Sequence, residues 1–250
     1  MSNKGEPQLY GAFADRYDLH TPPDHYRHDH EYLLALAHDV RPDARILDVG
    51  CGTGIFVEKA LARGFDAHGL DPARDMLAVA GCRVAPARLS LGSMQGIDGE
   101  QEFDVITALS WSFNYCQDFD EAQDVLGRFH RALRPGGRVA LQLAHAPHAP
   151  KAAPDFMVDV EAGPGGEDDI RMSYRFWSPA AAVLVAEYAF ECRSTSESFQ
   201  ECHELHAADA WIVAERARVV GFADVQLLAG VRGASLDEAR SMSPFLLARR

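Results

Sequence analysis

The stretch Ile46-Leu47-Asp48-Val49-Gly50-Cys51-Gly52-Thr53-Gly54 decides how this chain is read. An aliphatic run stops at an acidic residue, three glycines alternate, and a helical apolar pattern follows over residues 55–62. That order predicts a strand, a tight turn and a helix start. Glycine at 50 and 52 lets backbone N–H groups approach a ligand with no Cβ in the way. The helix N-terminus behind the turn favours negative or electron-rich groups. Asp71 lies 21 residues after Gly50, at the end of the next apolar run, residues 65–70. A carboxylate there can accept both hydroxyls of a ribose. The turn and Asp71 together predict an adenosine-containing cofactor.

Working outward, residues 44–49, 65–70, about 87–91, 103–109 and 137–143 read as strands, and 54–63, 73–80 and 119–133 as helices. Strand alternating with helix means a parallel sheet covered on both faces. Ligands of such sheets sit beyond the carboxyl ends of the strands. Asp48, Asp71, Ser93, Leu109 and Ala144 fall at those ends. Ahead of this core, residues 1–43 read as a helical lid, with a helix over 25–39 that carries Tyr32, Leu33, Leu36 and Ala37 on its apolar face. The core itself spans 44–150. Residues 151–169 are rich in Pro, Gly and acids and read as a loop. Three strand-like runs then follow over 170–177, 182–192 and 198–206, giving a three-stranded antiparallel insert within 151–207. Residues 208–250 complete the core. Asp209 caps a helix ended by Gly221, and 224–228 and 244–248 form a closing strand pair.

The bulk numbers narrow the function class. The 250 residues are 47% hydrophobic, enough for a substantial core. No apolar run approaches the ~20 residues needed to cross a bilayer, and the first residues carry no signal-peptide core. The five cysteines are scattered with no C-x-x-C, as in a reducing cytoplasm. The expectation is a cytoplasmic protein with no membrane partner. A net charge of −13 and the lack of a Lys/Arg cluster argue against a nucleic-acid substrate. Two clusters invite a metal reading: His20, His25, His28, His30 and His38, and the run Cys202-His203-Glu204-Leu205-His206. Neither has zinc-site spacing, and on a strand Cys202, Glu204 and His206 share one face with His203 on the other. No metal is expected. The sequence leaves a homodimer open.

The spacing G-x-G-x-G differs from the dinucleotide fingerprint G-x-G-x-x-G, because Ile55 falls where the third glycine belongs. The stretch Leu47 to Gly54 resembles the glycine-rich motif of class I S-adenosylmethionine (SAM) methyltransferases. That family also carries an acid like Asp71 and a turn like Leu133-Arg134-Pro135-Gly136-Gly137. The segment Phe103-Asp104-Val105-Ile106-Thr107-Ala108-Leu109-Ser110-Trp111-Ser112-Phe113-Asn114-Tyr115, with Glu201, His203, Gly221, Phe222 and an opening Tyr17-Asp18 before Tyr26, is similar to a bacterial subgroup. That subgroup includes amino-sugar and glycine N-methyltransferase-like enzymes. The chain departs from it at Ser93, Trp111 and Gln142, where relatives often carry acids.

The resemblance implies an α/β, Rossmann-like three-layer sandwich. Its seven-stranded sheet is mostly parallel with a C-terminal antiparallel strand, and the three-stranded insert covers the site. It implies SAM as cofactor, S-adenosylhomocysteine (SAH) as product and a small-molecule acceptor. N-methylation stands slightly ahead of O-methylation, and RNA or protein methylation or non-catalytic binding are the rivals. It assigns Tyr17 and Tyr26 to the methionine end or a lid, Gly50 and Gly52 to backbone approach, and Asp71 to the ribose. Ser93, Met94 and Gln95 edge the adenine, Met76 walls it, and Leu109 lies beneath the methionine. Tyr115 and His145 are the candidate catalytic groups. Trp111, Asn114, His148, Tyr174 and His206 are the candidate acceptor contacts.

Overall fold

Period-two patterning in the central strands divides two cores between the faces of one sheet. In β1 (Arg45–Val49), Ile46 joins the core on one face, and Leu47 and Val49 the core on the other. The computed structural model describes residues 8–20, 22, 24–161, 170–193, 195–231 and 233–250. Helices α1 (Tyr17–His20) and α2 (Arg27–Val40) precede β1. Then α3 (Ile55–Ala62), β2 (Asp66–Asp71), α4 (Arg74–Ala80), β3 (Leu89–Leu91), β4 (Phe103–Ala108), α5 (Phe119–Ala132) and β5 (Leu133–Gln142) follow in turn. The order of the sheet is completed by β10 (Ala223–Leu228) and β11 (Phe245–Arg249), reached through α6 (Ala210–Val219). The sheet runs β10-β11-β5-β4-β1-β2-β3, and β11 alone runs antiparallel to the other six strands.

Helices cover both faces. α2 and α3 pack Leu33, Leu36, Phe56 and Val57 on the face of Ile46, Ala67 and Val105. α5 buries Ala122, Val125, Leu126, Phe129 and Ala132, a stripe of helical period, on the opposite face with α6. Asp118 caps α5 by accepting N–H bonds from Asp120 and Glu121 at 2.9 Å. Asp209 caps α6 by accepting from the Trp211 N–H at 3.0 Å, and Gly221 ends it at φ +107°, as the sequence predicts.

Two expectations are corrected. The insert is four-stranded: β6 (Met157–Glu161), β7 (Ile170–Ala180), β8 (Val183–Cys192) and β9 (Glu197–Leu205). β6 lies within the stretch read as a loop, held by antiparallel pairing of Met157 with Tyr174; residues 162–169 of that stretch lie outside the described residues. The Pro-Gly-Gly turn expected ahead of the fifth strand is a bulge inside β5: Leu133 pairs with Phe103 and Arg138 with Val105.

The second sheet packs on the N-terminal segment. Ile170, Met172, Phe190 and Cys192 form a cluster with Leu9, bordered by Tyr10, Phe13 and Tyr17. This places the N-terminal tyrosines over the carboxyl ends of the parallel strands. Among the described residues no helix is long and apolar enough to cross a membrane.

Candidate active site

A cavity of about 780 Å³ opens at the carboxyl ends of β1, β2, β3 and β4, within the usual size range of small-molecule sites. Its floor is the glycine turn. Gly50, Gly52 and Gly54 take φ values of +71°, +54° and +81°. The Gly50 and Cys51 N–H groups donate to the Leu70 carbonyl at 2.7 and 3.2 Å, which ties the turn to β2. A Cβ on Gly50 would meet Ser112 Oγ at 2.4 Å, so the loop after β4 rests directly on it. A Cβ on Gly52 would meet nothing within 4 Å: that face opens into the cavity.

Asp71 closes the turn from the far side. Its Oδ2 accepts the Gly52 N–H and its Oδ1 the Ala73 N–H, both at 2.8 Å. Each oxygen keeps a further lone pair on the cavity side. Burial raises the Asp71 pKa, and the two N–H bonds work against that. Asp48, at the end of β1, accepts the Thr107 hydroxyl at 2.7 Å, and burial pushes its pKa up to about 7. A cationic ligand group nearby would favour its ionised form.

The N-terminal segment forms the opposite wall with Tyr10, Tyr17, Pro22, Tyr26 and His30. Asp18 fastens this wall to the floor. Its carboxylate accepts the Thr53 hydroxyl at 2.6 Å and pairs with Arg83, whose Nε also donates to the Thr53 carbonyl at 3.3 Å. Met76, Leu91, Met94 and Leu109 add apolar side chains to the lining, and Ser93 and Gln95 polar ones. The structure thus brings Tyr17, Tyr26, Gly50, Gly52, Asp71, Met76, Ser93, Met94, Gln95, Leu109 and Tyr115 to one cavity.

The other anticipated residues are placed elsewhere. His145, expected as a catalytic group, is fully buried; its Nδ1 accepts the Ala210 N–H at 3.1 Å, and its ring packs edge-on against those of His148 and Trp211. Burial and the neighbouring His148 lower its pKa to about 4. The bend after β5 turns it away, because His145 N–H donates to the Met242 carbonyl and His148 Nδ1 meets the Ser241 backbone. Asn114 is a buried clasp: its Oδ1 accepts the Ala144 N–H, and its Nδ2 donates to the carbonyls of His206 and Ala207. Trp111 donates from Nε1 to Ser243 Oγ at 2.9 Å and packs edge-on against Phe176, which stacks on Tyr174. His206 lies beside Glu204 at 3.9 Å. None of these six side chains lines the cavity. Among the described residues no group of three or more His, Cys, Asp or Glu side chains is gathered to hold a metal.

The sequence reading gave no cavity role to Tyr10, His30, Thr53 or Asp18. Tyr10 lies in an apolar N-terminal run, and its partners Tyr115 and His203 are about a hundred residues or more away, so no local pattern marks it.

A family model described as a methyltransferase domain matches residues 46–137. A dTDP-4-amino-2,3,4,6-tetradeoxy-D-glucose N,N-dimethyltransferase of Saccharopolyspora spinosa is 32% identical over 102 residues, covering 40% of this chain and 41% of that protein. A malonyl-[acyl-carrier protein] O-methyltransferase of Salmonella typhimurium is 33% identical over 131 residues, covering 52% of this chain and 50% of that protein. The chain thus spans half or less of the length of these two relatives. A SAM-bound amino pentose methyltransferase of Micromonospora echinaspora superposes with a TM-score of 0.74 at 21% identity, with all of both chains covered.

Proposed function

We propose that this chain, a class I SAM-dependent methyltransferase by its 46–137 domain, transfers a methyl group from SAM to a small molecule, an amine ahead of a hydroxyl. The observation that carries this is the glycine turn, with Asp71 bonded to the Gly52 and Ala73 N–H groups, set beneath a walled cavity. Those residues fit the cofactor: Asp71 offers two lone pairs to a ribose, Gly52 leaves the approach open, and the Met76, Met94 and Ser93 end suits an adenine. Tyr17 and Tyr26 close the methionine end, Gln95 borders the adenine, and Leu109 lies beneath the methionine. Bound SAM supplies a methyl group already activated on a sulfonium. The chain's task is then alignment and exclusion of water, with the acceptor atom held on the S–CH3 axis. The closed wall and the charge of −13 favour a small neutral or cationic acceptor over nucleic acid. Amine acceptors come first because sugar N-methyltransferases are among the relatives, and an O-methyltransferase keeps hydroxyls in the comparison.

The test is transfer of labelled methyl from SAM to dTDP-linked amino sugars, their hydroxyl counterparts and bulk tRNA. Label in an amino sugar supports the reading; label in tRNA alone overturns it. Tyr115, which lines the cavity, is the proposed contact for the acceptor. Tyr115→Phe is expected to lower kcat at least about tenfold, the worth of one hydrogen bond, with SAM affinity within about twofold. An unchanged kcat would remove Tyr115 from the acceptor site.

A further inference from the structure

Four side chains form a continuous hydrogen-bonded line from the second sheet to the cavity wall. The Glu201 carboxylate accepts the backbone N–H groups of Gln8 and Leu9 at 2.7 and 3.1 Å. Its Oε1 also meets His203 Nε2 at 2.8 Å. His203 Nδ1 meets the Tyr115 hydroxyl at 2.9 Å, and that hydroxyl meets the Tyr10 hydroxyl at 2.9 Å. Tyr10 and Tyr115 line the cavity; Glu201 and His203 lie behind them. Glu201 and His203 stand two apart on β9 and so share the face opposite Cys202 and Glu204.

The polarity of this line follows from its buried end. Burial works to raise the Glu201 pKa, but the His203 bond and the two N–H groups outweigh it, so the carboxyl stays ionised. An ionised carboxylate only accepts, so the proton of the first bond sits on His203 Nε2. In the neutral ring Nδ1 is then a bare acceptor, and the Tyr115 hydroxyl must donate to it. A tyrosine hydroxyl has one proton, so Tyr115 can only accept from Tyr10. The Tyr10 oxygen has then spent its own proton and offers the cavity lone pairs alone. The rings of Tyr10, Tyr115 and Tyr188 lie 5.2, 6.1 and 5.7 Å from the His203 ring, which is 6% exposed.

The geometry points to a one-way relay, Tyr10–Tyr115–His203–Glu201, that recognises an N–H or O–H donor on the methyl acceptor and draws its proton out of the cavity. The step balances within these residues. The acceptor's X–H bond breaks and its proton goes to the Tyr10 oxygen, while the electron pair stays on X as the nucleophile. Tyr10 passes its own proton to Tyr115, and Tyr115 passes its own to His203 Nδ1. The product is an imidazolium facing ionised Glu201. Burial holds both tyrosines above the ordinary phenol range, so neither rests as a phenolate and the proton crosses them in passing. An ammonium gains most, since it must lose a proton before it can attack. Tyr10 and Tyr115 touch the acceptor; His203 and Glu201 are positioning residues. This inference rests on the methyl-transfer reading and names the chemistry of its acceptor.

The experiment is nitrogen NMR of the whole protein labelled with 15N-histidine, at neutral pH with saturating SAH. The His203 signals are assigned by their absence in His203→Asn. The expected result is a bare Nδ1 and a protonated Nε2. A protonated Nδ1 with a bare Nε2 would reverse the line, and a resting imidazolium would leave it no capacity for a proton; either overturns the relay. His203→Asn sets an oxygen near the place of Nδ1, which accepts the Tyr115 hydroxyl but takes up no proton. With an amino sugar that the wild type methylates, its kcat is expected to fall about 100-fold, the lower end for acid–base catalysis, with the KM for SAM within about twofold. An unchanged kcat overturns the relay. If the wild type methylates none of the dTDP sugars, the NMR result still decides the relay. If calorimetry shows no SAH binding, the cofactor reading falls instead, and the NMR is read on the protein alone.

Discussion

Asp71→Ala is expected to raise the dissociation constant for SAM about ten- to 100-fold. The carboxylate makes two charge-assisted bonds to backbone N–H groups that shape the glycine turn, and its remaining lone pairs face the cavity. Alanine removes both functions at once. Loss of the ribose contacts costs about 1–3 kcal/mol. The Gly52 and Ala73 N–H groups also lose their acceptor, which lets the turn drift from the geometry that leaves room for a ligand. Asp71→Asn keeps one acceptor oxygen and is expected to fall between the two. Isothermal titration with SAM checks both variants. An unchanged dissociation constant for Asp71→Ala would remove Asp71 from the cofactor site.

Gly50→Ala is expected to destabilise the fold by about 2–5 kcal/mol. A left-handed conformation costs a non-glycine residue about 1–2 kcal/mol, and forcing a methyl into a filled space costs about 1–3 kcal/mol. At φ +71° the new Cβ lies 2.4 Å from Ser112 Oγ and 2.6 Å from Ser112 Cβ. Ser112 cannot swing aside freely, because its hydroxyl donates to the Leu109 carbonyl at 2.8 Å. The displaced loop carries Tyr115 one turn later, so turnover falls along with stability. Gly52→Ala is the control. It carries left-handed strain but meets no atom within 4 Å. Its stability loss is expected to be about 1 kcal/mol, with the larger effect on SAM affinity. Urea unfolding midpoints and titrations separate the two. A Gly50→Ala protein as stable as wild type would contradict the packing of Ser112 on the turn.

The glycine turn, Asp71 and the alternating strands were legible because their signals are local. Ile46 and Leu47 divide between two cores as the period-two pattern requires, and the caps at Asp209 and Gly221 act within four residues. The cavity residues from Gly50 to Leu109 follow from one rule about the carboxyl ends of parallel strands. What stayed hidden depends on distant partners. β6 is five residues in a stretch rich in breakers, and its pairing with β7 makes it a strand. His145 follows β5 in sequence, yet contacts to Met242, Ser241 and Ala210 turn the segment off the cavity. Trp111 lies next to the turn in space, but left-handed conformations at Ser110 and Trp111 swing its ring toward Ser243 and Phe176. Glu201 and His203 carry a signal the sequence did hold, an i, i+2 pair of polar residues on one strand face. Its meaning needed Tyr10, which lies 193 residues away from His203 in the chain and 5.2 Å away in space, ring to ring.

The central claim is that the cavity over the glycine turn holds SAM. Calorimetric titration of the folded, ligand-free protein with SAM, and with SAH as product control, tests it most directly. The account predicts one site per chain for each, with micromolar or tighter affinity that Asp71→Ala weakens. No heat from either ligand, in protein shown to be folded and free of co-purified nucleoside, would contradict it.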